Sequence, residues 1–205
     1  ILEQLEQANL FLIPLDDERR WYRYHHLFAD LLRGHLRRTR PELVPVLYRR
    51  ASEWHEGQGL IVEAVRYALA AEDTTRAAQW IARYWQTALT AGEIETVWSW
   101  LNALPEDAVR NSAPLSVAYG WVLWLRGQIG AIEPHLANAE NALSELSSAD
   151  DAAYADLPAH LAVMRSIVAR CDNDFEAAVV FAERALRLTP ENLPSQENAQ
   201  LRTVI

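Results

Sequence analysis

Residues 9–24 read NLFLIPLDDERRWYRY, and residues 25–32 continue as HHLFADLL. The apolar run at the start predicts a strand, the acidic triplet at 16–18 predicts a turn, and residues 19–24 predict a return strand. From Leu27 onward the apolar residues recur at positions 27, 28, 31, 32 and 36, which is helical spacing. A hairpin that leads into a helix, in a chain that is otherwise helical, predicts the wing of a winged helix.

The composition of the chain excludes one familiar nucleotide site. None of its 205 residues is lysine. The P-loop motif G-x-x-x-x-G-K-[ST] needs a lysine to contact the nucleotide phosphates. This chain therefore does not carry a complete P-loop that hydrolyses nucleotides.

The charge of the chain is uneven, with a formal net charge of -9 at pH 7. Residues 1–50 carry nine arginines and seven acids, whereas residues 51–205 carry ten arginines and twenty-one acids. The larger, acidic part repels nucleic acid, so we expect no direct nucleic-acid binding. Near the N-terminus Arg19, Arg20 and Arg23 alternate with aromatic residues. That pattern fits either a nucleic-acid-binding wing or a strand with one solvated face.

Cysteine use and hydropathy indicate the compartment. Cys171 is the only cysteine, which excludes an internal disulfide and is typical of a cytosolic protein. No apolar run approaches the roughly 18 residues that span a bilayer, and no signal peptide is apparent. We therefore expect a cytoplasmic protein that does not associate with membranes. Because residue 1 is isoleucine, we also expect the chain to be a piece of a longer protein.

Beyond residue 40 the apolar residues recur at helical spacing in successive segments, which are separated by glycine, proline or capping residues. The predicted helices span about 41–57, 61–69, 74–88, 94–104, 114–126, 132–146, 157–169 and 174–188. Residues 147–151 predict a polar loop, and residues 191–205 predict a loop and the start of another hairpin. This series predicts an all-α fold, a right-handed superhelix of tetratricopeptide-like helical hairpins with a small N-terminal β-hairpin wing.

The repeat pattern is clearest near the C-terminus. Residues 173–178 read NDFEAA, and alanines at 182 and 185 and a proline at 190 follow, as in the second helix of a tetratricopeptide repeat. Ser166 lies twelve residues before Ala178, where the repeat needs a small residue on its first helix. Gly120 and Gly127 repeat the pattern more weakly, and the turns at 127 and 173 are 46 residues apart. The repeats are therefore elongated relative to the standard period of about 34 residues.

Several of these segments together resemble one family. They are YRYHHLFADLL at 22–32, RRASEW at 49–54, GL at 59–60, EAVRYALAA at 63–71 and WLNALP at 100–105. The chain resembles the middle of the large ATP-dependent LuxR-type transcriptional regulators, the group of the bacterial maltose-regulon activator. The resemblance implies that residues 1–40 are the C-terminal part of a winged-helix domain and that residues 41–110 form a helical arm. Residues 111–205 are then the start of a tetratricopeptide-like sensor domain, which is truncated.

The same resemblance implies a function. It implies a non-catalytic signal-sensing and linker portion of the regulator, which binds an inducer or a regulatory protein and relays that event to the nucleotide switch. ATP or ADP is then expected in the parent protein, with no cofactor in this fragment, and DNA is bound by a helix-turn-helix beyond it. The alternative is a protein-interaction scaffold of helical repeats unrelated to transcription. A P-loop before Ile1 and a helix-turn-helix after Ile205 would favour the regulator.

His25 is the residue for which the resemblance implies a specific role. Related ATPase switches carry a methionine-histidine-aspartate type motif at the start of a winged-helix segment, and its histidine approaches the β-phosphate of ADP. His25, His26 and Leu27 resemble this motif, with histidine in place of the aspartate. An imidazole N–H can donate to a phosphate oxygen. Alternatively, both histidines only cap and pack a strand-to-helix junction.

No motif for catalysis or metal binding stands out, because H-E-x-x-H and G-x-S-x-G are both absent from the sequence. We therefore expect no enzyme activity and no metal. Tyr119, Trp121 and Trp124 form a possible ligand surface, since amphipathic aromatic side chains suit peptide or sugar recognition. The alternative is that these residues belong to the core of a helix that is packed on two sides.

Overall fold

The computed structural model describes residues 11–18, 22–145 and 154–189. Two short strands come first, β1 (Leu12–Pro14) and β2 (Tyr22–Tyr24), and a 3-10 turn at Ile129–Ala131 interrupts the helices that follow. The α-helices of these ranges are α1 (His26–Thr39), α2 (Leu43–Gly57), α3 (Ile61–Ala70), α4 (Thr74–Thr90), α5 (Ile94–Ala103), α6 (Glu106–Arg110), α7 (Ala113–Leu125), α8 (Glu133–Ser144), α9 (Leu157–Cys171) and α10 (Phe175–Leu188). The expectation of an all-α fold with one small hairpin is confirmed.

The N-terminal hairpin is antiparallel, and Ile13 pairs with Arg23 in its register. It leads directly into α1, as the sequence predicts. Phe28 on α1 anchors the hairpin, because its ring stacks on Phe11 at 5.2 Å and meets the ring of Tyr24 at 5.4 Å. None of the residues of α1 is buried among the described part of the chain. The hairpin and α1 therefore pack on each other rather than on the main core.

Five connections between successive helices share one backbone turn, in which one residue has a positive φ between 58° and 82°. In each turn the amide of the next residue donates to a carbonyl five residues earlier, as Asp73 does to Ala68 at 3.0 Å. This hydrogen bond closes the helix end in a Schellman motif. The left-handed residues are Gly59, Glu72, Gly92, Gly127 and Asn173. Because the residue that follows begins the next helix, each turn reverses the chain within a few residues.

Small residues let the paired helices approach closely. Ser166 on α9 donates its hydroxyl to the carbonyl of Ala178 on α10 at 2.9 Å, so the predicted close contact between these helices is confirmed. Ser52 and Ala64 repeat the same bond between α2 and α3 at 2.8 Å. At Gly120 on α7, an added Cβ would be in ordinary van der Waals contact with the side chains of Ile132 and Leu136, 3.7 Å away. The hairpins are thus built alike although their sequences differ.

The core is centred on α7, which is apolar around its whole circumference. Ten of its residues are buried, and it packs against α4, α5, α6, α8 and α9. A helix that is apolar on every side has to be covered on every side. The packing therefore continues across residue 110, the predicted boundary between arm and sensor. That boundary and the one at residue 40 remain predictions.

The structure differs from the sequence-based expectation at two places. Helix α6 (Glu106–Arg110) occupies a stretch where no helix is predicted, because five residues are too few for a helical period to be visible. Pro105 ends the preceding helix as predicted and also serves as the N-cap of α6. The second difference is Glu72, which adopts the left-handed conformation with φ 58° although the sequence offers no glycine there. The predicted loop at 147–151 and the tail at 191–205 lie outside the described residues.

The shared turn can be tested with two exposed positions, Glu72 and Gly92. A left-handed conformation costs about 1 kcal/mol more for a residue with a Cβ than for glycine. We expect Glu72→Gly to raise the free energy of unfolding by about 1 kcal/mol and Gly92→Ala to lower it by about the same amount. A Cβ at Gly92 would meet no atom within 4 Å, so only the backbone conformation is changed. Urea denaturation measures both free energies of unfolding. A lower value for Glu72→Gly or a higher value for Gly92→Ala would contradict the shared turn.

Candidate ligand-binding site

His25 lies at the junction of β2 and α1, where it is the N-cap residue. Its amide donates to the carbonyl of Phe11 at 2.6 Å, and its carbonyl accepts from the amide of Ala29 at 2.9 Å. The ring is half-buried and lies 4.3 Å from the ring of His26, which is exposed. The backbone of His25 thus joins the hairpin to the helix, while contact of its imidazole with a nucleotide remains a prediction.

The structure does not bring the three aromatic residues of the predicted ligand surface together. Two residues along an α-helix turn the side chain by about 200°, so Tyr119 and Trp121 lie on opposite sides of α7. Trp121 is buried, and its Nε1 donates to Nδ1 of His160 on α9 at 3.0 Å. Trp124 is half-buried and meets the ring of Trp121 edge-on at 5.4 Å. Of the three, only Tyr119 lines the cleft that follows.

A cleft of about 570 Å³ lies among α5, α6, α7 and α8. We call it the Tyr119 cleft. Its lining residues are Leu101, Asn102, Leu104, Glu106, Val109, Arg110, Tyr119, Pro134, His135 and Asn138. Its volume is in the range of pockets that bind small ligands. Because α5 and α6 precede residue 110 and the other two helices follow it, the cleft lies across the predicted boundary between arm and sensor.

Tyr119 is held rigidly on the wall of this cleft. Its ring stacks on that of His135, with centroids 4.1 Å apart and planes inclined by 6°. Trp98 on α5 meets the Tyr119 ring edge-on at 5.4 Å. The Tyr119 hydroxyl donates to Oδ1 of Asn102 at 3.0 Å, and Nδ2 of Asn102 donates to the carbonyl of Trp98 at 2.7 Å. These contacts fix the ring and the carboxamide before any ligand arrives.

The phenol of Tyr119 and the imidazole of His135 are neutral at pH 7. Burial raises the pKa of Tyr119 from 10.0 and lowers the pKa of His135 from 6.5. Nδ1 of His135 is buried and has no hydrogen-bond partner in the described part of the chain. Arg110 and Glu106 form an ion pair with each other, and both are largely exposed. The cleft therefore presents hydrogen-bonding groups but no unpaired charge.

A second polar cluster lies on the opposite side of α7 and joins α4 to α9. Because Nδ1 of His160 accepts from Trp121, its Nε2 carries the proton, and this atom lies 3.3 Å from Oδ2 of Asp156. Gln86 on α4 donates to the same carboxylate oxygen. Burial raises the pKa of Asp156, but the hydrogen bonds from His160 and Gln86 outweigh burial, so the pKa lies below its ordinary value. We call these residues the His160 network.

Neither cluster is arranged for metal chemistry. Within residues 11–18, 22–145 and 154–189, no three histidine, cysteine, aspartate or glutamate side chains are grouped so that they could hold a metal ion. The same ranges contain no helix with the length and apolar character needed to cross a membrane. What the Tyr119 cleft offers chemically is recognition, through fixed carboxamide, phenol and imidazole groups.

The cleft contains residues that sequence reasoning did not identify, notably His135, Asn102 and Asn138. One signal for His135 was present in the sequence. Tyr119 and His135 are each eight residues from Gly127, and residues at equal distances from a hairpin turn face each other. No comparable signal pointed to Asn102, because its contact with Tyr119 depends on how α5 packs against α7.

Comparison with known proteins supports part of the family resemblance. Residues 1–44 match the family model of the MalT winged helix domain. The serine/threonine-protein kinase PknK of Mycobacterium tuberculosis, found in two strains, is 32% identical over 188 residues, which are 92% of this chain and 16% of the relative. PknK of Mycobacterium bovis matches to the same extent. No solved structure matches. The chain thus spans about a sixth of the length of these curated relatives and begins with a segment similar to the MalT winged helix.

The environment of His135 can be tested by titration. We expect NMR of its imidazole protons to give a pKa below 6.5, because burial disfavours the imidazolium. Tyr119→Ala exposes one ring face and should raise this pKa toward 6.5. Since the folded-state pKa is lowered, the neutral ring contributes its full stability above pH 6.5, and that contribution is lost as the pH falls through the folded-state value.

The imidazole resonances of exposed His26 on α1 are the internal control and should not respond to Tyr119→Ala. A His135 pKa at or above 6.5 in the unsubstituted chain would contradict the burial of this ring. An unchanged pKa in Tyr119→Ala would contradict the stacked arrangement.

Proposed function

We propose that this chain is a non-catalytic signal-sensing and linker region of a large MalT-like, ATP-dependent transcriptional regulator. In this proposal the helical hairpins receive an inducer or a regulatory protein, and the arm relays the event to the winged helix. The nucleotide, ATP or ADP, is bound by the parent protein, and DNA is bound by a domain outside this chain. The chain itself has no cofactor and contacts no nucleic acid.

One observation carries the proposal. A segment that matches the MalT winged helix domain, residues 1–44, is followed by a series of helical hairpins, and the Tyr119 cleft lies between α5 and α6 on one side and α7 and α8 on the other. A ligand in this cleft would contact α5 and α6 on one side and α7 and α8 on the other. Its binding energy would then depend on how these two groups of helices are placed. A ligand shifts a conformational equilibrium only through such a difference in affinity.

The His160 network supports the relay part of the proposal. It connects α4, which belongs to the predicted arm, with α7 and α9, which belong to the predicted sensor. A partly buried carboxylate with two donors is stabilising only while both donors stay in place. Movement of α9 relative to α4 would therefore break the hydrogen bond from Gln86 to Asp156 and leave the carboxylate with one donor fewer.

A second function is favoured by the relatives that carry a similar region. These proteins are named serine/threonine-protein kinases rather than transcription factors. That name favours a recognition scaffold that can be combined with different output domains. In this alternative the hairpins hold a protein partner, and no relay to a nucleotide switch takes place.

The nucleotide role of His25 can be tested in the intact parent protein. We expect His25→Ala to weaken ADP binding about tenfold, because a hydrogen bond to a charged group contributes about 1.5–3 kcal/mol. In this proposal the ADP-bound state is the resting one, so we also expect the resting activity of the regulator to rise. Isothermal titration calorimetry measures the affinity, and a reporter gene measures the activity.

His26→Ala is the matched control, because His26 is adjacent, exposed and on the first turn of α1. Its ADP affinity should equal that of the unsubstituted protein. Equal ADP affinity and equal resting activity in His25→Ala would remove this histidine from the mechanism and favour the scaffold.

A further inference from the structure

We propose that the Tyr119 cleft binds a short, uncharged, extended polypeptide segment of a partner protein. In this assignment the carboxamides of Asn102 and Asn138 pair with peptide groups of the bound segment. The proposal rests on the sensing role given above and names the class of partner for the same cleft.

The unused hydrogen-bonding groups of the cleft match a peptide backbone. A carboxamide has two N–H donors and two acceptor lone pairs. Asn138 is half-buried, and its side chain makes no hydrogen bond within the described residues. Asn102 uses one N–H and one lone pair for the bonds with Trp98 and Tyr119, so one donor and one acceptor remain. In an extended segment the N–H and the C=O of one residue point to the same side of the chain, so one carboxamide can bind both.

The floor of the cleft is apolar. Leu101, Leu104 and Val109 line it and are 1%, 6% and 5% exposed. An apolar side chain of the bound segment can contact this floor while its backbone reaches the carboxamides at the rim. The volume of about 570 Å³ limits the bound portion to a few residues.

The charges around the cleft favour an uncharged segment. The charged residues that line the cleft are Glu106 and Arg110, and they pair with each other. The lowered pKa of His135 keeps its ring neutral at pH 7. A charged ligand group would therefore lose its hydration without gaining a counter-ion, which is unfavourable.

The aromatic residues of the cleft favour a peptide over a neutral sugar. Sugar recognition by aromatic residues uses an open ring face. The Tyr119 ring is stacked on His135 at 4.1 Å and is met by Trp98 at 5.4 Å, so it is already engaged by two rings. The groups left for a ligand are hydrogen-bonding carboxamides rather than an aromatic platform.

The test uses this chain labelled with ¹⁵N on asparagine side chains. The probe is a pool of N-acetylated, C-amidated tetrapeptides with uncharged side chains, and each active member is then titrated alone. We expect selective shifts of the side-chain resonances of Asn102 and Asn138. Asn138→Ala should lower the affinity for the tightest-binding peptide about tenfold, as expected when two neutral hydrogen bonds are lost.

Asn141→Ala is the matched control, since Asn141 lies on the same helix and is exposed outside the cleft. Its peptide affinity should be unchanged. Unshifted ring resonances of His135 and Tyr119 in each free variant verify that the cleft is intact.

Three results would overturn the proposal. The first is that no tetrapeptide of the pool shifts the side-chain resonances of Asn102 and Asn138. The second is that Asn138→Ala binds the best peptide as tightly as the unsubstituted chain does. The third is that a neutral oligosaccharide shifts these resonances when no peptide does. The titration requires neither nucleotide nor DNA, so such a result leaves the ADP test of His25 unaffected. Conversely, peptide binding combined with unchanged ADP affinity in His25→Ala would keep the cleft assignment and remove the nucleotide relay.

Discussion

The burial of α7 on all sides is the constraint on which the rest of the structure depends. This helix has ten buried residues, and it can be shielded from water only if helices from before and after it in the chain cover both of its faces. The same constraint creates the two polar clusters. Tyr119 points to the α5–α8 side and Trp121 to the α4–α9 side, so each amphipathic ring brings its polar atom to a different group of neighbours. The Tyr119 cleft and the His160 network are therefore two consequences of one buried helix.

Much of the fold could be predicted from the sequence because its signals are local. Helical spacing located most helices, and glycines at 59, 92 and 127 marked three of the five shared turns. Asn173 is also a residue that tolerates the left-handed conformation. Glu72 is not, and its conformation is imposed by the packing of α3 against α4 rather than by its own preference. Helix α6 could not be predicted either, because a single turn and a half leaves no periodic pattern.

The candidate site was harder to predict because its residues are distant in sequence. Tyr119 was identified from its aromatic character, but its assignment to one surface with Trp121 neglected the opposite orientation of residues two positions apart on a helix. The contact of His135 with Tyr119 can be inferred once the hairpin turn at Gly127 is known, because both residues are eight positions from it. Asn102 and His160 depend on contacts between helices of different hairpins, over 17 and 39 residues. A sequence pattern contains no information about which hairpin faces contact each other at that range.

Helix α7 also provides a physical basis for the proposed relay. The hairpins that pack on its two sides cannot separate without exposing its apolar residues to water. Native-state hydrogen exchange tests this coupling most directly. We expect the buried amides of Ile81 in α4 and Met164 in α9 to exchange through openings of equal free energy. Trp121→Phe, which deletes the N–H that binds His160, should lower both values equally, by about 1 kcal/mol. A lower value for α9 alone, with α4 unaffected, would mean that the hairpins open independently and would contradict the coupling.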